Sequence, residues 1–320
     1  MVTGGAGFIG SHLAGELARR GYHVVILDDL STGKKGNITA LLSPTLHHPS
    51  SITHHTSRLS SVDFIEGSVT DLSLLQDVFR GADVVFHQAA VASVPRSIEN
   101  PELTHRANLT GTLNVLLAGH DKDVKKVVYA SSSSVYGDTP TLPTSEDMPP
   151  NPLSPYAVTK LAGEYYCQVF RQVYGLATVC LRYFNVYGPR QDPDSQYAAV
   201  VPRFIARVAA GQAPVIFGDG EQTRDFTFVA DAVEANILAA ESNATGVFNV
   251  GRGESTTIND LAEMLIGLMG KSVRPVHEGP RPGDPRHGLA DISRATRLGY
   301  SPEYSLQRGL QETIGVMRDA

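Results

Sequence analysis

Near its start the chain reads Thr3-Gly4-Gly5-Ala6-Gly7-Phe8-Ile9-Gly10-Ser11-His12, directly after the short apolar run Met1-Val2-Thr3 and directly before a helix-like segment, SHLAGELARRG. Gly4, Gly7 and Gly10 recur every third residue, and Gly5, Gly7 and Gly10 fit the G-x-G-x-x-G pattern. Glycines at these positions let the backbone turn tightly and approach a pyrophosphate. The helix that follows offers free N–H groups and a partial positive charge at its first turn. Strand, glycine turn and helix in this order commit the first part of the chain to an α/β fold that binds a dinucleotide.

The segments that follow agree. YHVVILDD, SVDFIEGS, ADVVFHQAA and KKVVYASSS read as strands rich in Val and Ile, separated by the helix-like LSLLQDVFRG and THRANLTGTLNVLLAGH and followed by PYAVTKLAGEYYCQVFRQVYG. Alternation of this kind implies βαβ units and a parallel sheet. The expected fold class is α/β: a doubly wound parallel sheet (Rossmann) with a second, smaller substrate-binding lobe. The first domain is expected over 1–182 and the lobe over 183–320, where Pro/Gly clusters such as YGPRQDP and FGDGEQ punctuate shorter elements. Segment 228–250 again reads as helix plus strand and is expected to return to the first sheet. Residues 36–61 form a polar insertion. Its His47, His48, His54 and His55 lack the spacing of zinc ligands, so no metal is expected there.

Asp28 closes the second strand-like segment, about twenty residues beyond the glycines. A carboxylate there accepts hydrogen bonds from an adenosine ribose and repels a 2′-phosphate, which favours NAD over NADP. The formal charge of −6 excludes the basic footprint of a nucleic-acid binder, so phosphates must be held by local groups. Two cysteines, Cys167 and Cys180, make no disulfide framework. With no signal-like segment and no apolar run of bilayer length, a cytoplasmic protein without membrane contact is expected.

The fifth strand-like segment ends in four consecutive serines, 131–134, followed by Val135-Tyr136-Gly137. Serines at a strand end usually satisfy a turn. Here they precede SPYAVTK, in which Tyr156 and Lys160 stand four apart on one helix face. That spacing alone is weak. Its position after a dinucleotide fold and a serine-rich strand end is the stronger signal.

Taken together, TGGAGFIG, ASSSSVYG, YAVTK and RYFNVYGPR resemble the extended short-chain dehydrogenase/reductase superfamily, and more closely its UDP-sugar 4-epimerases, the UDP-glucose and UDP-N-acetylglucosamine 4-epimerases. The resemblance implies catalysis by Tyr156 as a phenolate base, Lys160 as its cationic neighbour and Ser132 as a hydroxyl bridge to the sugar 4-hydroxyl. Lowering a phenol from about 10 to near 7 requires on the order of 4 kcal/mol. One positive charge about 4 Å away at an effective dielectric near 20 supplies roughly that. Sugar-dehydrating relatives carry an Asp-Glu pair where this chain has Ser133 and Ser134, and decarboxylating ones commonly keep the Glu. Neither chemistry has its acid here, which leaves hydride removal and return at one carbon.

Carried over position by position, the resemblance implies an NAD site of Gly4, Gly7, Phe8, Ile9, Gly10, Asp28, Asp29, Ser68, Val69, Gln88, Ala89, Ala90 and Asn108 with Tyr156 and Lys160. Ser68 stands where a carboxylate is common. The implied UDP-sugar site comprises Ala92, Ser132, Ser133, Asn185, Ala199, Val200, Phe217, Arg224, Arg281, Asp284 and Gly288. Phe217 is expected near the uracil, Arg224 and Arg281 on the phosphates, and Asp284 on the uridine ribose. Ala92, Ala199 and Gly288 replace the lysine, asparagine and tyrosine of many UDP-glucose epimerases, which makes room for an N-acetyl group. A homodimer through helices near 104–120 and 156–174 is also implied. The alternatives are a UDP-glucuronate 4-epimerase and a non-catalytic NAD-binding scaffold.

Overall fold

In the computed structural model, which describes residues 1–42, 61–139, 141–193, 199–280 and 286–318, seven strands form one sheet. They are β1 Val2–Thr3, β2 Val24–Asp28, β3 Val62–Glu66, β4 Val84–His87, β5 Lys126–Ser132, β6 Ala177–Tyr183 and β7 Gly246–Val250. Their spatial order is β7-β6-β5-β4-β1-β2-β3, and every pairing is parallel. Parallel strands are covered on both faces, which is why β5 and β6 are buried along almost their whole length and show no polar alternation. The four histidines of the insertion, together with Arg281 and Asp284, lie outside the described residues.

The chain runs outward from β1 to β2 and β3 in one direction and to β4, β5, β6 and β7 in the other. The C-terminal ends of β1 and β4 therefore flank the point where the winding reverses, the usual ligand crevice of such sheets. One apolar core lies under the helix Phe8–Arg19, around Leu13, Ile26, Val128 and Val250. A second, around Leu75, Val85, Leu116 and Phe170, fills the opposite face.

Beyond β6 the shorter elements build a core of their own around Tyr187, Phe204, Phe228, Leu261 and Leu310. The strand pairs there are two or three residues long, so packing and not the ladder holds them. The helix Val229–Glu241 and β7 interrupt this part and join the main sheet. Among the described residues, no helix is long and apolar enough to cross a membrane, and no cluster of His, Cys, Asp and Glu could hold a metal.

The helix Pro155–Tyr174 has clear limits. Ser154 accepts a hydrogen bond from the Ala157 N–H, Pro155 occupies the first turn, and Gly175 ends the helix in a left-handed conformation. The helix expected over 104–120 is instead Pro101–His105 and Gly111–Asp121, joined by a π-turn at Arg106–Thr110.

Candidate active site

A cleft of about 740 Å³ opens at the reversal point. Its wall contains Gly4, Gly7, Phe8, Ile9 and Gly10 from the glycine turn and the helix it opens, Asp28 and Asp29 at the end of β2, Ser68 and Val69 after β3, and Gln88, Ala89, Ala90 and Ala92 after β4. Tyr156 and Lys160 form part of the same wall. Glycine is required by space at two positions. A Cβ on Gly4, whose φ is +68°, would sit 2.5 Å from the Ala89 nitrogen, and one on Gly10 would sit 2.2 Å from the Gly4 oxygen. The turn can therefore lie flat against the loop after β4. Asp28 accepts from the Ala6 and Leu30 N–H groups at 3.0 and 2.9 Å, and burial pushes its carboxyl up. Each of its oxygens keeps further acceptor capacity toward the cleft. Glycine cradle, helix N-terminus, carboxylate and cleft volume all fit a dinucleotide.

Asn108 differs from its expected role. It is buried inside the π-turn, where its amide accepts from the Val91 N–H at 2.7 Å and donates to the Val91 carbonyl and to Thr159 Oγ1. It fixes the loop after β4 to the helix Pro155–Tyr174 from behind and does not line the cleft. Conversely, the wall includes Leu30, Ser31, Thr32, Gly33 and Lys34, which the sequence reading passed over. The signal was present as a polar turn immediately after Asp28 and Asp29. Lys34 crosses the opening to pair with Asp192 at 3.0 Å. Arg96 and Tyr183 were likewise missed. Tyr183 shares hydrogen bonds with Gln88 and Asn236 at the cleft floor.

Ser132 caps the short turn Ser133–Tyr136, its Oγ accepting from the Ser134 N–H at 3.1 Å, and it is hydrogen-bonded to Tyr156. Of the four serines, Ser132 is therefore the one that caps the turn. Ser131 bonds Glu164, and the Ser134 hydroxyl is buried without a partner. Lys160 donates to the Ala130 carbonyl at 2.7 Å, and its ammonium stands 5.9 Å from the centre of the Tyr156 ring. Burial pulls Lys160 down to about 8. Burial also raises the Tyr156 phenol, opposed by the Ser132 hydrogen bond. The expected lowering of the phenol is therefore absent from the chain's own groups: desolvation outweighs the Ser132 hydrogen bond. His87, clamped between Thr3 and Thr112, is held down to about 3 by burial and adds no charge beside Lys160.

Of the expected sugar-site residues, Ala92 and Ala199 line the cleft. Ser132, Ser133, Asn185, Val200, Phe217, Arg224 and Gly288 do not belong to its wall, where Ser131 is the one present of serines 131–134. Phe217 ends a short strand, with the Arg203 guanidinium 5.9 Å from its ring centre. Arg224 donates to the Thr223 carbonyl, and Gly288 lies against this pair. Asp225, not singled out from the sequence, is fully buried and accepts from the N–H groups of Arg252, Gly253 and Ala290. Burial pushes it up to about 6, and it ties together the backbone around Arg224 and Gly288.

Comparison with known proteins agrees with this geometry. The model of the NAD dependent epimerase/dehydratase family matches residues 1–251. A UDP-glucose 4-epimerase of Mycolicibacterium smegmatis is 40% identical, over 100% of this chain and 98% of its own. The structure of the UDP-N-acetylglucosamine 4-epimerase from Methanobrevibacter ruminantium in complex with UDP-N-acetylmuramic acid superposes with a TM-score of 0.90 at 40% identity, covering 99% of this chain and 97% of that one. The UDP-glucose 4-epimerase of Thermotoga maritima with UDP-glucose gives 0.91 at 38% identity, covering 99% and 98%. With its parallel seven-stranded sheet, glycine turn and paired Tyr156 and Lys160, the chain belongs to the NAD-dependent epimerase/dehydratase family.

Proposed function

We propose that the protein is a UDP-hexose 4-epimerase that acts on UDP-GlcNAc/UDP-GalNAc, with or without UDP-Glc/UDP-Gal. The observation that carries this reading is the pairing of Tyr156 and Lys160 in the cleft wall, with Ser132 hydrogen-bonded to Tyr156 and serines 133 and 134 in place of acids. The glycine turn, Asp28 and the loop Gln88–Ala90 would hold NAD. Bound there, NAD+ would supply a hydride acceptor and donor for C4 and a positive charge near the phenol. Tyr156 accepts the proton of the sugar 4-hydroxyl at its phenol oxygen, and Ser132 bridges the two oxygens. Lys160 would stabilise the phenolate that accepts this proton, and the transfer leaves Tyr156 as the neutral phenol until the proton is returned. Ala92 and Ala199 keep the wall small, which leaves space for the hexose ring to present either face.

Arg224 and Phe217 would hold the UDP moiety, completed by Arg281 and Asp284. Gly288 leaves space for an N-acetyl group: among the described residues, a Cβ there would come no closer than 3.7 Å to any neighbour. A second reading, a 4-epimerase of UDP-glucuronate, draws on Arg96, a cation in the cleft wall. Incubating the purified protein separately with UDP-GlcNAc, UDP-Glc and UDP-GlcA decides between them. Formation of UDP-GalNAc is the expected result. Turnover of UDP-GlcA alone overturns the first reading in favour of the second, and turnover of UDP-Glc without UDP-GlcNAc removes the wide-pocket element.

The assembly we infer is a homodimer. Val158, Tyr165, Val169 and Val173 leave an exposed apolar stripe along the helix Pro155–Tyr174, joined by Ile98 and Leu103 from the neighbouring helices. A mass measured in solution at twice 34.3 kDa is the expected result.

A further inference from the structure

Three consecutive residues at the end of β5 each make one polar contact with the helix Pro155–Tyr174. The Ala130 carbonyl accepts from Lys160 at 2.7 Å, the Ser131 hydroxyl donates to Glu164 Oε1 at 2.5 Å, and the Ser132 hydroxyl is hydrogen-bonded to Tyr156. Tyr156, Lys160 and Glu164 are four residues apart and so share one helix face. The flanking contacts belong to the proton chemistry. The middle one belongs to a carboxylate with no part in it. Glu164 also receives Arg182 Nε and Nη2 at 2.8 and 2.6 Å, and Arg182 stands opposite Ser131 in the β5–β6 register.

Both members of the Glu164–Arg182 pair are almost wholly buried, their side chains 4% and 5% exposed. A buried ion pair is a poor source of stability, because desolvation offsets most of its attraction, and well-packed apolar residues would hold helix to sheet as well. An apolar pair could not accept the Ser131 hydroxyl. Nor could it fix the centre of a three-residue segment whose two neighbours set the positions of Lys160 and Tyr156.

We propose that Glu164, acting through Ser131 and Arg182, is a positioning residue for the Ser132–Tyr156–Lys160 set. This rests on the reading of Tyr156 as the base. The carboxylate contributes charge as well as geometry. Lys160 is faced by Tyr156, Glu164 and Cys167 from its own helix, by the Tyr129 ring from β5 at 5.1 Å, and by His87 from β4. Arg182 of β6 is engaged by Glu164 itself. Of these groups Glu164 carries the negative charge, and it favours the Lys160 ammonium against the effect of burial.

The test compares Ser131→Ala, Ser131→Thr, Glu164→Gln and Tyr156→Phe by kcat, KM, pH profile and melting temperature. Ser131→Ala is expected to keep its KM and melting temperature while kcat falls about tenfold, as for a slightly misplaced reacting group. Ser131→Thr, which keeps the hydroxyl, is expected to restore it. Glu164→Gln is expected to move the alkaline limb of kcat to lower pH by about one unit. Wild-type kcat in Ser131→Ala, or a loss that merely follows its melting temperature, overturns the proposal. Should Glu164→Gln fail to fold, Ser131→Ala decides alone, because it leaves the ion pair intact. An inactive Tyr156→Phe beside a fully active Ser131→Ala refutes only the positioning role. An active Tyr156→Phe refutes the base assignment beneath it.

Discussion

Lys160 and Tyr156 lie one helical turn apart, with the ammonium 5.9 Å from the ring centre and its proton given to the Ala130 carbonyl and not to the phenol oxygen. In the proposed reaction the lysine would act on the tyrosine through its field, not through a direct hydrogen bond. Removing the phenol oxygen removes the base of the proposed reaction, so Tyr156→Phe is expected to lower kcat by about 10²- to 10⁴-fold. The ring itself stays, so the fold should be kept. Steady-state kinetics on UDP-GlcNAc and a melting curve of the same preparation check both halves of this expectation.

Lys160→Met leaves an apolar side chain of similar length where a buried ammonium now stands at about 8. Desolvation no longer has a charge to oppose, so stability is expected to be unchanged or slightly higher. The phenol, already raised by burial, then loses its nearby cation. Activity should survive only at higher pH, with the acid limb of the profile displaced upward. A pH profile of kcat for this variant against the parent measures the displacement.

Asp28 lies in the cleft wall at the end of β2, where the proposed NAD site would put the adenosine ribose, and its oxygens accept from Ala6 and Leu30. Asp28→Ser removes the repulsion and keeps one acceptor near the glycine turn. The preference for NAD+ over NADP+ is expected to fall by about tenfold, equivalent to roughly 1.4 kcal/mol. A stability loss of about 1 kcal/mol accompanies it, from the backbone N–H left without its partner. Cofactor titration of the stripped protein, followed by melting temperature, reads both.

How far these roles are legible in the sequence depends on their range. The glycine turn, Asp28 and the pair Tyr156 and Lys160 are readable because each is set by spacing within one or two elements. The sheet is readable because buried parallel strands write continuous Val/Ile runs. The contacts of Asn108 are not readable: it is buried within a π-turn and bonded to Val91 and Thr159, and no local periodicity announces that turn. Glu164 and Arg182 meet through a β5–β6 register that emerges only when the sheet closes. Asp225 is hidden likewise, since its three donors come from segments 27, 28 and 65 residues away.

For Asp225 the linkage has a definite sign. Burial raises its carboxyl in the folded protein from 3.8 to about 6, so the folded state holds the proton more tightly than the unfolded chain. This contribution is fully present below the unfolded value and is lost as pH rises through about 6. Two units correspond to at most about 3 kcal/mol. Asp225→Asn cannot titrate and is expected to be less stable at every pH, because its NH₂ would face backbone donors. Its melting temperature should nevertheless lose less than the parent's between pH 4 and pH 7. Parallel melting curves across that range test the difference in slope.

Gly288 offers a direct handle on the sugar. A Cβ built there meets the Thr223 oxygen at 3.7 Å and Arg224 Cδ at 3.9 Å, which are ordinary contacts, so a side chain can be added without moving backbone. A tyrosine at this position would extend over the Arg224 side of the lobe and take up the space assigned to an N-acetyl group. Gly288→Tyr is therefore expected to fold normally and to lose kcat/KM for UDP-GlcNAc by about tenfold or more relative to UDP-Glc, as expected when an added bulk rejects a substituent. The change should appear mainly in KM, because the 4-hydroxyl and Tyr156 are untouched. An unchanged ratio between the two substrates would mean that the acetyl group lies elsewhere, and that the small residues Ala92 and Ala199 of the cleft wall set the sugar preference instead.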